Sequence, residues 1–120
     1  MNAANLALRF LLELAALGGF AAFAWNSADG IWRWVAAIFV VILVAAIWGT
    51  FAVPDDPSRS GNAPVPVPGW LRLLLEFLVL LGGAWAFYAA GHLIPGVVLA
   101  ILVVAHYALS MERITWLLQQ

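Results

Sequence analysis

Hydrophobic residues run along most of the chain in four long blocks, each interrupted by only a few polar positions. A membrane-spanning helix needs about 20 mostly apolar residues. The four blocks of suitable length are Asn5–Trp25, Ile31–Val53, Gly69–Ala90 and Ile94–Arg113. The connections at 26–30 and around Gly91 and His92 are short and rich in helix-ending residues, so consecutive helices should lie antiparallel. The pattern therefore predicts an all-α, polytopic transmembrane four-helix bundle built from two helical hairpins.

The longest polar stretch, residues 54–68, separates the two hairpins. Its first half, DDPSRSGN, is typical of a flexible loop, and its second half, APVPVP, of an extended polyproline-like segment. We interpret residues 1–120 as a single transmembrane domain, with hairpins at about 5–53 and 69–113 and a linker between them.

The two hairpins resemble each other in sequence. A shift of 63 residues aligns Arg9 with Arg72, Glu13 with Glu76 and Gly19 with Gly82, so that LRFLLEL lies over LRLLLEF. Composition alone would rarely match an Arg and a Glu in both copies. We predict an internal repeat of two pseudo-symmetric hairpins, related by an axis along the membrane normal. The glycine pairs 18–19 and 82–83 should let helices approach closely.

Composition supports a membrane protein and excludes several other classes. Of the 120 residues, 66% are hydrophobic and 9% are charged, and the mean hydropathy is +1.02. A soluble domain has roughly 25% charged residues, so neither a soluble globule nor a disordered chain fits. The net charge of −1 and the lack of a basic block argue against nucleic acid as a partner. Without cysteine or a metal, haem or phosphate-binding motif, we expect no cofactor, no metal and no enzymatic activity.

Arginine placement predicts the orientation in the membrane. The chain has no lysine, and four of its five arginines fall on the side that holds both termini and the linker: Arg9, Arg59, Arg72 and Arg113. Only Arg33 falls on the other side. Positive charge accumulates on the cytoplasmic side, so we expect a multi-pass protein of the bacterial inner (cell) membrane with both termini in the cytoplasm.

Two glutamates inside predicted spans are the first candidate site residues. Glu13 and Glu76 each follow an arginine, Arg9 and Arg72, by four residues, on the same helix face. A charged residue at the bilayer centre costs roughly 2.5–3.5 kcal/mol, so each should have a partner. Because Arg before Glu is the weaker order for a pair within one helix, we expect each Glu to be shared with the other hairpin.

A polar stripe on the last predicted span adds further candidates. His106, Ser110 and Arg113 recur at helical spacing, and His106 lies at a depth similar to that of Glu76. The position 63 residues before His106 is Leu43, so this titratable group belongs to one hairpin only. His92 is too far along the helix to share a metal with His106, and we expect it in a solvated turn.

Three motifs in this order resemble the YrdB-like family of small bacterial four-helix membrane proteins. They are LRFLLEL, the segment WGTFAVP that closes the second helix, and LRLLLEF. That family is one of unknown function. The resemblance implies an integral membrane protein and adds Trp48, Gly49 and Pro54 as signature residues, without assigning them roles.

These observations lead to two functional hypotheses. The first is a non-enzymatic protein that binds or moves a small solute or lipid at a buried Arg/Glu/His cluster. The residues of that candidate site are Arg9, Glu13, Arg72, Glu76, His106 and Ser110. The alternative is a scaffold or accessory membrane subunit in which the Arg–Glu network only holds the helices together. Four helices barely enclose a cavity, which leaves room for a homo-oligomer or a partner membrane protein, although no sequence feature selects either.

Overall fold

The computed structural model describes residues 3–57 and 62–120. Over these residues the fold is all-α apart from two very short strands. The helices are α1 (Ala3–Asn26), α2 (Ile31–Thr50), α3 (Gly69–Ala89), α4 (Leu93–Leu109) and α5 (Met111–Leu118), and the strands are β1 (Phe51–Ala52) and β2 (Val65–Pro66). Arg59 lies outside the described residues.

Among the described residues, three helices, α1, α2 and α3, are long and apolar enough to cross a membrane, and α4 with α5 makes a fourth if the bent pair is one span. In length and composition, these are the helices of a membrane protein. The short turn between α3 and α4 ends the helix in the way that its glycine predicts. After α3, Gly91 adopts a left-handed conformation (φ 89°), and the His92 amide bonds to the Phe87 carbonyl at 2.8 Å, which is a Schellman cap.

The structure differs from two of the predicted spans. The second helix, predicted to extend to about Val53, ends at Thr50, because β1 pairs in parallel with β2, Phe51 opposite Val65. The proline-rich half of the linker is therefore extended, as expected, but it is paired with another segment. The span predicted as Ile94–Arg113 is broken at Ser110, where α5 turns by 72° from α4.

The core lies between α1, α3 and α4. Its buried residues are Leu12, Ala16, Leu80, Ala84, Leu99, Val103 and Tyr107. Where α1 crosses α3, a side chain at Gly19 would collide with the Gly83 backbone oxygen, which confirms that these glycines allow close approach. Helix α2 packs mainly on α1 and has no buried residue. It thus lies at the edge of the helix assembly, and the pseudo-twofold axis and the internal repeat stay predictions.

Candidate functional site

Glu76 is the centre of a buried ionic cluster. Its side chain is fully buried on α3, and each of its two oxygens accepts three hydrogen bonds from described residues. Arg9 binds it in a bidentate manner, at 3.0 Å to Oε1 and 2.8 Å to Oε2. Since a carboxylate offers about four lone-pair sites, Glu76 is saturated.

The other donors to Glu76 come from three separate helices. From α3 itself, Arg72 Nε donates to Oε2 at 2.9 Å. From α4, the Tyr107 hydroxyl donates to Oε1 at 2.7 Å. From α5, Arg113 donates through Nη2 to Oε2 at 2.6 Å and through Nε to Oε1 at 3.3 Å. One carboxylate therefore joins α1, α3, α4 and α5.

The linker closes the cluster through Asp56. This residue is 2% exposed, and its two carboxylate oxygens accept hydrogen bonds from Arg113 at 2.7 and 2.9 Å. The sequence analysis missed Asp56, because nothing local separates it from the exposed neighbour Asp55. It also missed Tyr107, although Tyr107 lies three residues before Ser110 on the predicted polar stripe.

Trp48, a signature residue, lies against two of the arginines. The guanidinium carbon of Arg72 is 4.5 Å from the indole ring centre, and that of Arg9 is 5.2 Å. Arg72 Nη1 also donates to the backbone carbonyls of Trp48, at 2.5 Å, and of Phe51, at 2.7 Å. The end of α2 is thereby attached to the cluster.

The other two signature residues, Gly49 and Pro54, lie in more open surroundings. Around Gly49, a Cβ would meet nothing within 4 Å. Pro54 is exposed in the linker turn.

Glu13 lies at the rim of this arrangement. Its carboxylate is 3.4 Å from Arg9 Nε on its own helix, and its side chain is 26% exposed. It lines a cavity of about 160 Å³ between α1, α2 and α3, together with Phe10, Val44 and Trp48. The expected sharing between hairpins is therefore seen for Glu76, which binds Arg9 of α1. Glu13 also lies against Arg9, on its own helix.

The side chains of His106 and Ser110 are buried, but they make no hydrogen bond to the cluster. The His106 ring lies 5.1 Å from the Tyr107 ring, centre to centre, and it is the neighbouring Tyr107, not His106, that bonds to Glu76. Neither ring nitrogen of His106, nor Oγ of Ser110, has a hydrogen-bond partner among the described residues. His92 is exposed at the opposite turn.

The arrangement holds charge in balance. Three guanidinium groups, those of Arg9, Arg72 and Arg113, face the carboxylates of Glu76 and Asp56, with Glu13 at the rim. Within the described part of the chain, no group of three or more His, Cys, Asp or Glu residues is placed to hold a metal ion.

Comparisons with known proteins agree with the sequence motifs. Residues 7–104 match the family model described as "Protein of unknown function (DUF2568)". The chain is 41% identical to the "Uncharacterized protein YrdB" of Bacillus subtilis (strain 168) over 120 residues, which cover 100% of this chain and 98% of that protein. No solved structure matches the chain.

Proposed function

Since the chain belongs to the DUF2568 family, which is of unknown function and is the YrdB-like family that its motifs resemble, we propose a role from the geometry of the cluster. The protein is a non-enzymatic membrane scaffold or accessory subunit. In this proposal the Arg–Glu cluster is a permanent clasp. It holds four helices and the linker in one arrangement, and the protein acts through the surface that this arrangement presents to lipid and to other membrane proteins.

The observation that carries this proposal is the saturation of Glu76. A carboxylate that is fully buried and accepts three hydrogen bonds on each oxygen has no lone pair left for a solute. Removing one partner of a buried ion pair leaves an uncompensated charge and is strongly destabilising. Cyclic opening of the cluster during transport would meet that cost in every cycle.

The orientation that we propose has both termini in the cytoplasm. It is supported by the position of the cluster, where α1 and α3 begin and α4 ends, with Arg33 at the opposite end of the helices. The bilayer is then the first partner of the exposed apolar residues, and a second copy or another membrane protein is the kind of partner that a scaffold requires.

Binding or transport of a small solute or lipid at the cluster is the second candidate. One observation favours it: His106 and Ser110, buried next to the saturated carboxylate, have hydrogen-bonding capacity that no described residue uses. In that case the clasp would open, and its arginines would meet water or solute.

Hydrogen exchange at the arginine side chains separates the two candidates. With the protein in lipid nanodiscs, the Nε–H signals of Arg72 and Arg113 can be followed by NMR in deuterated water. A permanent clasp predicts that both exchange far more slowly than Arg33, whose Nε–H donates to the Ala28 carbonyl in a partly buried turn. Arg33 is the internal control, because its bond does not depend on Glu76.

Exchange at Arg72 and Arg113 that is as fast as at Arg33 would rule out a permanent clasp. It would move solute binding at an opening cluster to the front. Slow exchange that becomes fast only when a candidate solute is added would have the same meaning.

A further inference from the structure

Two buried polar side chains at the bend between α4 and α5 have no hydrogen-bond partner in the described part of the chain. His106 and Ser110 are both 0% exposed, and both ring nitrogens and the hydroxyl oxygen lack a hydrogen bond among the described residues. Buried polar atoms in folded proteins are almost always hydrogen-bonded, either to protein or to ordered water. Three buried atoms without a described partner, close in sequence at the α4–α5 bend, therefore indicate a site for a small guest.

Ser110 differs from Ser27, which follows the end of α1, and from Thr115 in α5. Ser27 donates to the Phe23 carbonyl at 2.8 Å, and Thr115 donates to the Met111 carbonyl at 3.0 Å. Each uses the carbonyl four residues earlier, which is the usual local partner in a helix. Ser110 does not use the corresponding carbonyl of His106. Its hydroxyl therefore keeps its hydrogen-bonding capacity, at the end of α4 and four residues after His106.

The chemistry of the site selects a neutral guest. A neutral imidazole has one donor and one acceptor, and a hydroxyl has both, so the guest must also donate and accept. The neighbouring cluster favours neither sign of charge, because it holds three guanidinium groups, of Arg9, Arg72 and Arg113, and three carboxylates, of Glu13, Glu76 and Asp56. A cation or an anion would gain little from such surroundings.

We infer that a bound water molecule bridges His106 and Ser110 at the α4–α5 bend. Waters of this kind satisfy polar groups at helix breaks in membrane proteins. His106 is then a water ligand beside the cluster and takes no part in the clasp. Water binding at His106 can be tested independently of the clasp, since the arginine Nε–H groups can exchange slowly whether or not water is bound here.

Water–protein NMR contacts test the inference directly. In perdeuterated lipid nanodiscs, with histidine and valine selectively protonated, we expect nuclear Overhauser contacts from water to the His106 ring protons. The Val103 methyl groups are the dry control, because Val103 lies one turn earlier in α4 and is 1% exposed. The nuclear Overhauser effect from water to His106 is measured in the laboratory frame and in the rotating frame. Effects of opposite sign in the two experiments identify a water molecule that stays bound long enough to tumble with the protein.

Two hydroxyl variants test whether the water bridges His106 and Ser110. Thr115→Val should leave the His106 contact unchanged, because that hydroxyl already bonds to its own helix. Ser110→Ala removes one of the two side chains that hold the water, so the His106 contact should weaken or disappear. An unchanged contact in Ser110→Ala would mean that the water does not bridge the two residues, and absence of any water contact in the wild-type protein would also overturn the inference.

Stability of a His106→Leu variant gives a second readout. If the imidazole binds water, its removal should lower the folding equilibrium constant by roughly tenfold. If the pocket is dry, leucine removes two unsatisfied atoms and the constant should rise instead. A rise would contradict the bound water independently of the NMR result.

Discussion

Glu13 and Glu76 occupy matched positions, 63 residues apart and each four residues after an arginine, but their surroundings differ. Glu76 is 0% exposed and receives donors from α1, α3, α4 and α5, whereas Glu13 is 26% exposed at a cavity rim. The same local motif therefore produces a structural centre in one hairpin and a peripheral group in the other. Local sequence decides that a charge enters the span, and the neighbouring helix decides what the charge does.

The difference comes from the second helix of each hairpin. In α4 and α5, Tyr107 and Arg113 supply donors to Glu76. The residues 63 positions earlier are Val44 and Thr50. Helix α4 contributes five buried residues, and α2 contributes none. The second hairpin thus supplies most of the core and most of the clasp, while the first contributes Leu12, Ala16 and Arg9.

Replacing each glutamate by glutamine gives the largest expected contrast. Glu76→Gln leaves the surrounding arginines without their central counter-charge and should lower the free energy of unfolding by about 3–5 kcal/mol. Glu13→Gln removes a partly exposed pair and should cost about 0–1 kcal/mol. Unfolding in mixed detergent micelles measures both. Equal losses in the free energy of unfolding would mean that Glu13 and Glu76 contribute equally to stability, and the contrast between the two hairpins would be wrong.

Removing the Tyr107 hydroxyl tests the contribution of α4 to the clasp. Tyr107→Phe keeps the ring but deletes one donor to Glu76, so we expect a loss of about 1.5 kcal/mol in the free energy of unfolding. The chain's other tyrosine, Tyr88, is 62% exposed, and Tyr88→Phe should leave the free energy unchanged. If both variants behave alike, the Tyr107 hydrogen bond adds no net stability.

A pair of valines, Val103 and Val40, tests the packing difference between α4 and α2. Val103 is 1% exposed, so Val103→Ala should leave a small cavity and cost about 1 kcal/mol. The matched residue Val40 lies on α2, which has no buried residue, and lipid can fill the space left by Val40→Ala. Unfolding measurements on the two variants should therefore separate them. A comparable loss from Val40→Ala would show that α2 packs against something in the membrane, such as a second copy.

Much of the architecture could be predicted from local sequence. The first three predicted spans agree with α1, α2 and α3 to within a few residues, because insertion into lipid depends on the apolar length of each segment. The pairing of Glu76 with Arg9 followed from the cost of burying a charge without a partner. The family assignment followed from three motifs that carry those charges, and it is confirmed.

Only the tertiary structure decided which residues complete the cluster. Asp56 reaches Arg113 across 57 positions of sequence, and Tyr107 reaches Glu76 across 31. The break at Ser110, which turns Arg113 inward, leaves no proline or glycine as a sign in the sequence. The edge position of α2 is equally invisible, because a lipid-facing helix and a buried one are both apolar. The local sequence pattern determines which segments enter the membrane and which charged side chains they carry. Contacts between distant segments decide which of those side chains meet.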